Sequence, residues 1–137
     1  MKIRGNTGVI IAVSVIATVL FELIALNKEY IRPSISDPGF LRTLSGCFPS
    51  FITAYLISLV AVSAVLIKKP KQGRRIVYIV SLWIFAMLII DEFTTGWGAS
   101  THFDKFDIVA SGVGSLLAVV TYEIALRIQK KKSQNPE

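Results

Sequence analysis

The chain holds little that does chemistry. Its 137 residues include one cysteine, Cys47, and one histidine, His102. A single thiol excludes an internal disulfide and a thiolate metal cluster. No nucleophile elbow, phosphate-binding loop, HExxH or CxxC occurs, so the common hydrolase, nucleotide and zinc signatures are missing. Ser50, Ser100 and Thr101 are candidate nucleophiles for His102, but residues 98–102 read adequately as a flexible loop. Charge is scarce too. Only 18% of residues are Asp, Glu, Lys or Arg, against roughly 25% in a soluble globular domain.

Apolar residues fill the space. They make up 53% of the chain, and the mean hydropathy is +0.60. Charges avoid residues 7–27, 45–67, 76–90 and 108–126 almost entirely and collect between them. A helix needs about 20 apolar residues to cross some 30 Å of hydrocarbon. Three stretches reach that length directly, and the third does so when extended to Phe93. A soluble four-helix core would need a polar face on each helix, yet residues 9–21 offer only Ser14 and Thr18. The expected fold class is therefore all-α, a polytopic membrane protein with a four-transmembrane-helix bundle in a single domain. The spans are expected at about 8–27, 49–67, 75–93 and 106–129.

The placement of the +6 net charge orients the bundle. Lys2 and Arg4 precede the first span; Lys68, Lys69, Lys71, Arg74 and Arg75 fill the second loop; Arg127, Lys130, Lys131 and Lys132 follow the fourth span. The positive-inside rule puts these residues, and hence both termini, in the cytoplasm. Lys28, Arg32, Arg42 and Lys105 remain for the outer side. The basic segments suit anionic headgroups, and nucleic acid is not an expected partner. The first apolar run exceeds the 7–15 residues of a signal-peptide core and lacks a small-x-small cleavage pattern, so it is read as a permanent helix.

Proline and glycine punctuate the connections. Pro33, Pro38 and Gly39 predict an irregular first loop with a turn over residues 36–39. Pro49 is expected to open the second span, where its missing N–H is harmless. Pro70 and Gly73 predict a tight hairpin. Tyr30, Phe48, Phe51, Phe93, Trp97, Phe103 and Phe106 suggest an outer aromatic belt, with Tyr78 and Tyr122 on the inner side.

The outer end gathers acids: Glu22 inside the first span, Asp91 and Glu92 at the top of the third, Asp104 and Asp107 at the start of the fourth, with His102 close by. Capping and dipole effects account for Asp104 and Asp107, and headgroup-zone pairing accounts for Asp91 and Glu92. A ligand site is the alternative reading. One histidine with carboxylates has no diagnostic metal spacing, and neither metal nor cofactor is expected. Glu22 is different, because capping does not explain an acid within a span. Glu123 is expected to pair with Arg127 four residues on. Ala110, Gly114 and Ala118, spaced by four, mark a close-packing face on the last helix, and Ala54, Ser58 and Ala61 a weaker one on the second.

The segment from Trp83 to Gly114 resembles the VanZ-like family of small bacterial membrane proteins. Its third span ends in Asp91-Glu92-Phe93, and Glu92 matches the family's glutamate at the top of a helix. Asp107 and Gly114 match the aspartate and glycine of the next helix. Phe48-Pro49-Ser50-Phe51 with Tyr55 resembles the entry of the preceding helix. The likeness extends over roughly residues 48–126. The chain departs from the family pattern at Thr94-Thr95-Gly96, where a glutamine is usual, at Lys105 for an arginine, and at Ser111 for an asparagine. The resemblance implies a multi-pass protein of the bacterial inner membrane acting at its outer face on or beside an envelope component, with no reaction assigned. The expected partners are membrane lipids, an envelope precursor or another membrane protein, with self-association open. Two other readings stand beside it: an accessory subunit of a membrane complex, and a membrane enzyme working on lipid or lipid-linked sugar through the outer carboxylates.

Overall fold

The computed structural model describes residues 3–36, 39–93 and 105–134, with side chains for 7–36, 39–91, 93 and 105–131. Long apolar runs favour helix, and helix is what forms. Helix α1 covers Ile3–Leu26 and passes through a π-helical turn, Asn27–Ile31, into the short α2, Arg32–Ser34. Helix α3 is Phe40–Lys68, α4 is Gly73–Phe93 and α5 is Lys105–Gln134. Among the described residues, four stretches are long and apolar enough to cross a membrane: Thr7–Ser34, Phe40–Lys68, Gly73–Asp91 and Lys105–Lys131. In hydrocarbon every backbone polar group needs an internal partner, and a helix supplies it within the segment. The chain is a multi-pass, all-α membrane protein.

Helix α3 is the axis of the bundle. It packs against α1, α4 and α5, most extensively against α5, whereas among the described residues the α1 backbone runs close to α3 alone of the other crossing helices. In the most apolar window of α3, 39% of the residues are buried; in that of the first crossing none is fully buried. From Thr7 to Asn27 only Val9, Val13, Ala17, Leu20, Ile24 and Asn27 are shielded. Their three-and-four spacing forms one seam along α1. Val9, Val13 and Leu20 reach the core built by Tyr55, Leu59, Val62, Val65, Leu66, Val77, Ala118 and Tyr122.

The second span departs from expectation at its start. Pro49 lies inside α3, not at its beginning. A proline within a helix removes the donor that would bond the carbonyl four residues earlier, here that of Ser45. The π-helical turn that follows α1 supplies a substitute. Asn27 Nδ2 donates to the Ser45 carbonyl at 2.8 Å, and Ser45 Oγ donates back to Asn27 Oδ1 at 2.8 Å. Both residues are buried. With its orphaned carbonyl satisfied, the helix continues back to Phe40 instead of forming an irregular loop, and the first amide groups bond Gly39, as Arg42 N does at 3.1 Å. The expected turn at residues 36–39 falls partly outside the described residues.

The hairpin between α3 and α4 forms where expected. Lys69 takes a left-handed conformation (φ 48°) and donates its N–H to Val65 O at 2.8 Å, closing the helix. Gly73 opens α4 in close contact with its neighbours: a Cβ there would meet Tyr122 Oη at 2.8 Å and Val65 Cγ1 at 2.9 Å. Tyr122 is thus a core residue, 3% exposed, and not part of an interfacial belt. Tyr30, Tyr78, Phe93 and Phe106 are exposed.

Candidate functional site

The small residues of α5 decide how its polar groups are placed. Gly114 lies on the backbone of α3; a Cβ there would overlap the Phe51 carbonyl and sit 3.1 Å from both Ala54 Cβ and Tyr55 N. Ala118 is fully buried, while Ala110 is half-buried on the same helix. Ala54 and Ser58 of α3 are fully buried as well. In lipid, such close approach replaces the hydrophobic effect as the force joining helices. One turn inward, Thr121 gives its proton to Leu117 O at 2.8 Å, so Tyr55 Oη is the donor in its 3.2 Å contact with Thr121 Oγ1.

This packing carries Asp107 to α3. Ser50 Oγ donates to Asp107 Oδ1 at 3.1 Å. Asp107 is half-buried in the first turn of α5, where its charge meets the positive end of the helix dipole. A hydroxyl on one helix and a carboxylate on another form a compact donor–acceptor pair at the bundle end remote from the hairpin.

The other acids occupy nearly the same level. Glu22 is five residues from Asn27, and Ser50 five from Ser45, along antiparallel helices. At 1.5 Å per residue this sets Glu22, Ser50 and Asp107 at one depth, about 7 Å below the Asn27–Ser45 clamp. Counting along α4 from Gly73, which packs on Val65, brings Asp91 to within about a turn of that depth. Depth is shared, but contact is not. Glu22 and Asp91 are exposed, and among the described residues the α1 backbone runs close to neither α4 nor α5. Glu22 lies on the side of α1 roughly opposite the Val9–Val13–Leu20 seam. Neither acid has a hydrogen bond or ion pair among the described residues. The Glu92 side chain, His102 and Asp104 lie outside the described residues. Among those described, no three His, Cys, Asp or Glu residues come together.

A second polar cluster forms at the hairpin end, where the four-residue spacing of Glu123 and Arg127 predicts a local ion pair. Glu123 is bound by Arg74 of α4 instead of Arg127 on its own helix. Arg74 Nε lies 2.7 Å from Glu123 Oε1, Arg74 Nη2 donates to Oε2 at 2.9 Å, and Tyr78 Oη donates to Oε1 at 3.0 Å. A planar guanidinium satisfies both carboxylate oxygens at once.

Neither Asn27 nor Ser45 stands out in the sequence as functional. The one available signal was Pro49, whose position four residues beyond Ser45 marks the carbonyl in need of a donor. Comparison of the chain with family models, curated proteins and solved structures gives no match.

Proposed function

We infer that the chain is a VanZ-like protein of the bacterial inner membrane, with both termini cytoplasmic, that acts at the outer face on or beside an envelope component. The resemblance over residues 48–126 and the asymmetry of charge support this reading. The observation that carries it is the Ser50–Asp107 hydrogen bond at 3.1 Å. It joins two residues that the resemblance singles out separately, one at the entry of α3 and one at the start of α5. A donor and an acceptor held side by side near the outer headgroup level suit a polar group presented from the membrane surface, such as the head of an envelope precursor. Glu22 and Asp91 add negative charge at that level, and no reaction is assigned to them.

A second reading, an accessory subunit of a larger membrane complex, draws on α1. That helix offers only one seam to its own bundle, and no residue of its most apolar window is fully buried, which leaves most of its surface for lipid or for another protein. Lipid and cell-wall profiling separates the two. A strain carrying Glu92→Ala and Asp107→Ala is compared with a deletion strain and the parent. An altered envelope profile shared by the variant and the deletion, with the variant protein present at parental level, supports action on an envelope component. Profiles identical to the parent in both strains overturn it.

A further inference from the structure

The hairpin end holds cations that the fold leaves unneutralised. Lys68, Lys69, Lys71, Arg74 and Arg75 are all exposed. Glu123 is the sole carboxylate at that end among the described residues, and Arg74 and Tyr78 already occupy both of its oxygens. Lys71 and Arg75 have no hydrogen bond or ion pair among the described residues. Between these groups lies a groove of about 590 Å³, lined by Lys71, Gln72, Arg74, Arg75, Tyr78 and Ile79.

The lining changes character with depth. Lys71 and Gln72 sit on the turn, and Arg74 and Arg75 in the first turn of α4. Tyr78 and Ile79 follow one helical turn, about 5 Å, further in. Helix α4 is the shortest crossing helix, 21 residues from Gly73 to Phe93, close to the length needed to span the hydrocarbon, so its first turn marks the hydrocarbon edge. The cations therefore stand at headgroup level with an apolar wall directly beneath. Glu123 pins the Arg74 fork in place, which leaves Lys71 and Arg75 as two uncancelled charges around the opening.

We propose that this groove binds the phosphodiester of an anionic phospholipid. Lys71 and Arg75 meet the phosphate oxygens, Gln72 supplies a neutral donor, and Tyr78 with Ile79 lies along the glycerol and upper acyl chain. Inorganic phosphate shares the chemistry of the rim but makes no use of the wall. The site depends neither on the family resemblance nor on which side of the membrane the hairpin occupies.

Native mass spectrometry of the purified protein tests it, using mixed phosphatidylglycerol and phosphatidylcholine. The wild type is expected to retain phosphatidylglycerol preferentially. Lys71→Gln with Arg75→Gln should lower that preference by about tenfold or more, since each basic group near a lipid surface contributes on the order of 1 kcal/mol. Lys130→Gln with Lys131→Gln, equally basic but outside the groove, should leave it nearly intact. Equal losses in both variants would mean diffuse attraction and overturn the proposal. Circular dichroism and thermal unfolding check the fold, and the single variants Lys71→Gln and Arg75→Gln, each with a partial loss, serve if the double variant does not fold. Excess inorganic phosphate should fail to displace the lipid; full displacement would overturn the lipid assignment.

Discussion

At the scale of single residues, one missing proton organises the far end of the bundle. Pro49 has no N–H, so the Ser45 carbonyl lacks its helical donor, and Asn27 supplies one from across the α1–α3 seam at 2.8 Å. A buried carbonyl left without a partner costs about 1–3 kcal/mol. Asn27→Ala is therefore expected to lower stability by an amount in that range, read from thermal unfolding in detergent. The loss should shrink in a Pro49→Ala background, where the restored N–H bonds Ser45 from within α3. If the cost is the same in both backgrounds, the vacant-carbonyl account is wrong. Proline was visible in the sequence, but its rescue was not, because Asn27 lies 18 residues upstream in another helix.

At the scale of elements, the α3–α5 interface is where the spacing of small residues carried most information. Ala110, Gly114 and Ala118 were legible as a packing face, since a period of four puts them on one side of a helix. Gly114 lies on α3 backbone at Phe51 and Tyr55. Gly114→Ala is expected to destabilise the bundle by about 1–3 kcal/mol through overpacking. Gly46→Ala in α3 serves as the comparison. It meets nothing within 4 Å, so helix propensity should make it neutral or stabilising by up to about 1 kcal/mol. Thermal unfolding of the two variants side by side reads the difference; equal effects would remove the close-contact role of Gly114. The Glu123 pairing went differently from expectation for a related reason. Sequence spacing identifies neighbours on one helix, whereas Arg74 reaches Glu123 from a separate helix 49 residues away.

At the scale of the whole molecule, four crossings put residues 28 and 71 at opposite ends. Cysteine labelling checks this. Cys47 is buried, and replacing it with serine leaves a background for Lys28→Cys and Lys71→Cys. With a membrane-impermeant maleimide on intact cells, Lys28→Cys is expected to label, and Lys71→Cys only after permeabilisation. The reverse pattern would invert the proposed orientation, and labelling of both from one side would contradict the crossing scheme itself.

The sequence by itself determined the number of apolar helices, the hairpin at Pro70 and Gly73, and the separation of a basic end from an acidic one. Those features are local: hydropathy and charge add up along a segment wherever its neighbours lie. Tertiary structure decided which acids have partners. It joined Asp107 to Ser50, left Glu22 on the outward side of α1, gave Glu123 to Arg74, and used Asn27 to complete a helix broken by proline. Each outcome depends on the rotation of a helix about its own axis and on which helix stands beside it. Both are set by contacts between residues far apart in the chain.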